Sequence, residues 1–172
     1  EWREQQVVQP GPKETGRRSS TSGDGRLGIS SNGSRFAAWW ELLPCKPGAE
    51  PKWVRHDLAR EVAGHGIGFG DLNCDGRGDI IGPKGWLEAP VDRRNGQWIW
   101  HPEFDLGQAS VPVLVADVNG DGKNDLVWAR GHNYGVDWME QTIEDGKRAG
   151  KKHLNDDSWW VGHSPRWADM DK

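Results

Sequence analysis

The chain of 172 residues is poor in cysteine, in long apolar runs and in surplus positive charge, and each shortage removes a class of protein. Two cysteines, Cys45 and Cys74, make no disulfide framework, and both are read as free thiols. No stretch reaches the length of about 18 apolar residues that a transmembrane helix needs, so no transmembrane segment is expected. Lysine and arginine number 22 against 26 aspartates and glutamates, a formal net charge of −4, and the acidic groups gather in loops. Nucleic-acid binding would need a basic face, and none is present. A sustained 3.6-residue apolar period is missing too, which argues against a helical fold. No signal peptide is seen; the chain begins without Met and stops inside a motif, so it reads as a fragment or a processed piece.

What is present is glycine, at 24, proline, at 10, and tryptophan, at 12, within a hydrophobic content of only 34%. Few, large apolar groups separated by glycine suit short strands and tight turns, so the expected class is all-β. Residues 1–35 form a polar tail whose run GRRSSTSG reads as disordered or loop. From Phe36 onward a repeat takes hold.

The segment DLNCDGRGD at residues 71–79 recurs as DVNGDGKND at residues 117–125, 46 residues later. A third copy opens at Asp169-Met170-Asp171, a further 52 residues on. Each complete copy places oxygen-bearing side chains at positions 1, 3, 5 and 9 around a glycine at position 6. Calcium takes six to eight oxygen ligands, and these loops offer them. The first would use Asp71, Asn73, Asp75 and Asp79 with the carbonyl of Arg77. The second would use Asp117, Asn119, Asp121 and Asp125 with the carbonyl of Lys123. Asp169 and Asp171 would begin a third site. An EF-hand is excluded, because position 12 is Gly82 or Trp128 instead of glutamate. A metal-free Asx turn is the competing reading, since Asp, Asn and Gly favour turns. Two copies in register outweigh it: three clustered carboxylates repel one another, and a divalent cation removes that repulsion. A degenerate copy around Asp24-Gly25 has Ser20, Ser22 and Gly28 at ligand positions and should bind calcium poorly.

Around the loops each unit reads as strand A, Asp loop, strand B, link, strand C carrying W-x-E, turn, and strand D carrying a histidine. Strand C ends in Glu41, Glu88 or Glu140, and strand D holds His56, His101 or His153, for which a structural bond to a neighbouring strand is expected. Four short antiparallel strands in 46–52 residues have the length of a propeller blade. About three blades fit in residues 36–172, with a possible eroded remnant in the tail, so the chain makes a partial propeller. Uncovered end blades expose apolar surface, which implies further blades or other copies of the chain as partners.

Phe69-Gly70-Asp71 with the D-x-N-x-D-G-x-x-D loop resembles the calcium-binding FG-GAP/VCBS repeat proteins. That resemblance implies a β-propeller, a secreted, periplasmic or cell-surface location, and binding of a protein or glycan ligand more often than catalysis. The Gly-His pairs are also similar, more loosely, to the propeller of aldos-2-ulose dehydratase, which implies a sugar-derived ligand.

His65 and His163 each stand six residues before an Asp loop, at the start of strand A, while His132 follows strand B, which runs back to the same end. All three are expected at the end opposite the Asp loops. There they would hold zinc or a similar transition metal, or act as general acid and base. Three unrelated polar loop residues are the competing reading. Trp86, Trp128 and Trp138 are candidates for stacking on sugar, although core packing explains most tryptophans better. Three functions follow: a calcium-stabilised binding module; a carbohydrate-active lyase or isomerase built on the histidines; or a truncated piece with no function of its own. Convergence of the three histidines is what separates the first two.

Overall fold

The computed structural model describes residues 6–7, 27–30, 36–43, 46–50, 52–168 and 170. They form three four-stranded antiparallel sheets, each a meander in which strand order follows chain order. The first contains β1 (Gln6–Val7), β2 (Leu27–Ser30), β3 (Ala38–Leu43) and β4 (Lys52–Asp57). The second contains β5 (Gly68–Gly70), β6 (Asp79–Gly82), β7 (Gly85–Glu88) and β8 (Ile99–His101). The third contains β9 (Leu114–Ala116), β10 (Asp125–Ala129), β11 (Tyr134–Glu144) and β12 (Lys147–Trp160). A 3-10 turn at Arg60–Val62 lies between the first sheet and the second. The expected all-β class is what the structure has, and among the described residues no helix is long and apolar enough to cross a membrane. Among the described residues the three sheets close no barrel.

Alternation along each strand explains why the sheets stack. Successive side chains of a strand point to opposite faces. In β6, Ile80 packs with Ala37, Trp39, Val62, Ile67 and Leu87 against the first sheet, while Ile81 packs on the other side. There it joins Trp86, Leu106, Val113, Leu126 and Trp128 against the third. In β7, Trp86 and Leu87 likewise divide between the two clusters. All four residues of β6 and all five of β10 are buried, as expected for strands covered on both faces. The first strands of the second and third sheets lie side by side: Gly68 bridges Val113 in parallel, and the Val113 amide donates to the Ile67 carbonyl at 2.9 Å.

The Asp loops connect β5 to β6 and β9 to β10, as the repeat requires. Strand C and strand D carry a recurring stack that the sequence reading had only as separate residues. Trp39 stacks on His56, Trp86 on His101 and Trp138 on His153, with ring centroids 3.9, 4.4 and 4.4 Å apart. Each histidine Nε2 then meets the glutamate of the adjacent strand: Glu41 at 3.2 Å, Glu88 at 2.9 Å and Glu140 at 2.8 Å. The structural role expected of these histidines is therefore what they have. Trp86 and Trp128 are buried in the core and offer no face to a ligand, while Trp138 is half-buried against His153. Cys74 is an exposed free thiol. Cys45, most of the polar tail with Ser20, Ser22 and Asp24, and Asp169 and Asp171 lie outside the described residues; of the tail, β1 and β2 pair into the first sheet.

Candidate metal centre

Three segments from different parts of the chain meet at the end of the strands opposite the Asp loops. His65 stands three residues before β5, His132 lies in the turn between β10 and β11, and His163 follows β12 by three residues. Their ring centroids are 5.1 Å apart for His65 and His132, and 5.8 Å apart for each of the other two pairs. One nitrogen from each ring can be chosen so that all three lie within 4.8 Å of one another. A tetrahedral zinc with Zn–N bonds of about 2.0–2.1 Å would bring its ligand nitrogens to roughly 3.4 Å, so the rings need to close by little more than about 1 Å. The convergence read from the sequence is thus present in the structure.

The chain aims these rings through the backbone. His65 Nδ1 is 2.9 Å from the Ala109 carbonyl and His163 Nδ1 is 3.2 Å from the Val161 carbonyl. A carbonyl only accepts, so each Nδ1 is the donor, and in the neutral ring each Nε2 then keeps its lone pair for a metal. Gly131 makes room. A Cβ there would stand 2.9 Å from His65 Cε1 and 3.2 Å from His163 Nε2, so any larger residue would push the rings apart.

The turn that carries His132 is held from both sides. Arg130 donates Nε and Nη2 to the buried Asp137 carboxylate, both at 2.7 Å, and its amide donates to the Gly135 carbonyl at 2.9 Å. The Gly131 amide reaches the Gln108 carbonyl at 3.0 Å. Val161 and Ser164, on either side of His163, sit at φ 52 and 60 in the left-handed region. A β-branched residue there is an outlier. Such conformations cost about 1–3 kcal/mol each and persist where the surroundings impose them. Here the bond from the Ser164 amide to the Val111 carbonyl at 3.0 Å is one such constraint.

Compared with protein-family models, with curated proteins and with solved structures, the chain matches none. The chemistry of this end is therefore argued from its own residues.

The Asp loops are built differently. Position 1 organises the turn: Asp71 accepts from the amides of Asp75 at 2.9 Å and Gly76 at 2.8 Å. Asp117 accepts from Gly120, Asp121 and Gly122 at 2.7–3.1 Å. Gly76 and Gly122 have φ of 84 and 83, the left-handed geometry position 6 requires. Position 9 is buried. Asp79 accepts from Leu72 and Ala89, both at 2.9 Å, and Asp125 from Val118 at 3.1 Å and Gln141 at 2.8 Å. Each thereby ties its loop to strand C. Burial pushes the Asp79 carboxyl up to about 6; the amides of Ala89 and Leu72 oppose this, and the charges of Asp75 and Asp71 add to it. Position 5 is paired with a side chain from position 7: Asp75 with Arg77, and Asp121 with Lys123 at 2.6 Å. Asn73 and Asn119 complete the oxygen set at position 3, each accepting the amide of the position-5 aspartate at 3.2 and 3.0 Å.

Reading the sequence missed what frames the histidines: Gly131, Ser110, the Arg130–Asp137 pair, and the exposed Tyr134–Trp160 pair with ring centroids 4.5 Å apart. The signal for two of them was there, because R-G-H and W-V-G-H set Arg130 and Trp160 beside histidines already singled out.

Proposed function

We propose that this protein is a calcium-stabilised segment of a β-propeller whose three-histidine end holds a divalent transition metal of the zinc class and binds an oxygen-rich small ligand on it. The observation that carries the reading is the approach of one nitrogen each from His65, His132 and His163 to within 4.8 Å. Three neutral imidazoles leave a tetrahedral metal one open position, the arrangement of a binding or catalytic site and not of a closed structural one. Carbohydrate is the ligand class the surroundings favour. Tyr134 and Trp160, 50% and 60% exposed, stand two and three residues from His132 and His163 and offer aromatic faces for a sugar ring. Calcium in the loops at residues 71–79 and 117–125 would fix the strands whose far ends carry the histidines.

Convergence also favours a second reading, a carbohydrate-active lyase or isomerase in which the metal polarises a carbonyl. It differs from the first by one measurement, turnover of a sugar by the zinc-loaded chain. The binding claim has its own test. Zinc titrated calorimetrically into chelator-treated protein is expected to bind with one equivalent per chain, and His65→Ala, His132→Ala or His163→Ala each to weaken it by at least about tenfold. Zinc binding that survives all three substitutions sinks the reading.

A further inference from the structure

Ser110 lies beside His65 and His163, and its hydroxyl has no partner among the described residues. The residue is 0% exposed, and its Oγ is buried without a hydrogen bond. Leaving such a group unsatisfied costs about 1–3 kcal/mol, which an alanine at the same place would avoid. The backbone around it is fully engaged with the site. Ala109, before it, offers the carbonyl that takes the His65 Nδ1 proton. Its own amide donates to Ala129 at 2.8 Å, and Val111, after it, accepts from the amide of Ser164, next to His163.

The side chain stands against Gly131, close to two of the imidazoles. The point where Gly131 would carry a Cβ is 3.1 Å from Ser110 Cβ, 2.9 Å from His65 Cε1 and 3.2 Å from His163 Nε2. One serine and two imidazoles therefore converge on Gly131, with His132 adjoining it in the chain.

We propose that the Ser110 hydroxyl is the hydrogen-bonding contact for the oxygen ligand that takes the open position of a metal held by His65, His132 and His163. The proposal rests on the three-histidine reading above and adds a residue that selects the ligand. A hydroxyl both donates and accepts, so it suits an oxygen ligand, a carboxylate or a hydroxyl, better than a sulfur ligand or a third-row halide. Ser110 touches the ligand and not the metal, so its role is to select the ligand.

Cobalt(II) substituted into the full chain reports the site by its visible spectrum, and acetate is the simplest carboxylate probe. Ser110→Ala is expected to bind cobalt within about threefold of the parent chain but acetate about tenfold more weakly, the loss of one charge-assisted hydrogen bond. Ser110→Thr, which keeps the hydroxyl, should restore acetate binding. Acetate affinity that moves by less than about twofold in Ser110→Ala overturns the proposal. Loss of cobalt itself in that variant also overturns it, since Ser110 would then be part of the metal's own support. If the parent chain fails to take up cobalt, the three-histidine reading falls and this inference falls with it.

Discussion

The two ends of the same strands use polar side chains in opposite ways. At the Asp-loop end the carboxylates are spent on the protein: both oxygens of Asp79 and of Asp125 accept backbone amides, and Asp75 and Asp121 are paired with cations two residues on. At the histidine end the backbone accepts from Nδ1 of His65 and of His163, which in the neutral rings leaves each Nε2 with its lone pair. One end is a turn that holds its own shape and to which calcium would add. The other is assembled from three distant segments, with strained backbone on either side of His163 and a buried hydroxyl left over. Stability is concentrated at the first end and unused bonding capacity at the second, which is why function is assigned to the second.

The largest effect separates the ends by stability. Asp79→Ala or Asp125→Ala removes the acceptor of two amides at once, at about 1–3 kcal/mol for each buried donor left unpaired, so a loss of roughly 2–6 kcal/mol is expected in urea melts. His65→Ala gives up one bond to a carbonyl and should cost no more than about 1.5 kcal/mol without metal. Equal losses for the two substitutions would erase the contrast between the ends.

Much of this was legible before any coordinates. The Asp loops, the complete pair spaced by 46 residues, set the repeat length, and the repeat placed His65 and His163 six residues upstream of the first and third copies. From there strand direction alone put the histidines at one end, and the structure has them together. The stack of tryptophan on histidine was not legible, because it needs the register of two strands, Trp86 opposite His101 and Trp138 opposite His153. A loop between those strands as variable as 89–98 and 145–146 conceals that register. Gly131 and Ser110 were invisible for a different reason: their meaning lies in a close approach of segments distant in the chain, and such an approach has no sequence signature. Calcium itself stands where the sequence left it, as the reading that best explains two acidic loops in register.

A middle-sized effect tests whether the ends are independent. Gly131→Ala puts a carbon 2.9 Å from His65 Cε1, so the rings must shift. Displacing a ligand's support typically costs 10–100-fold in metal affinity, and a loss of zinc affinity of about tenfold or more is expected. The thermal shift produced by calcium should be unchanged, since Asp71 and Asp117 lie at the far ends of the strands. Asp71→Ala with Asp117→Ala should do the reverse, abolishing the calcium shift and sparing zinc. Loss of both responses from either variant would mean that the two ends are one cooperative unit.

The smallest effect concerns a carboxylate that joins two sheets. Arg94, from the turn before β8, donates to Glu41 on β3 through Nε at 2.8 Å and through Nη2, and His56 adds a contact at 3.2 Å. Arg94 holds the Glu41 carboxyl below its ordinary 4.5 against the opposing effect of burial, with His56 assisting. A carboxyl lowered in the folded state binds fewer protons there than in the unfolded chain. Its contribution is therefore complete above pH 4.5 and is lost as the pH falls through the lower folded value. Arg94 is 55% exposed, so solvent screens the pair and its contribution to stability should be small. Urea melts of Arg94→Ala and the parent chain should differ at pH 6.5 and converge near pH 3. A difference that persists into acid would show that Arg94 acts by packing its stem against the first sheet, and that even this carboxylate contributes through contact more than through charge.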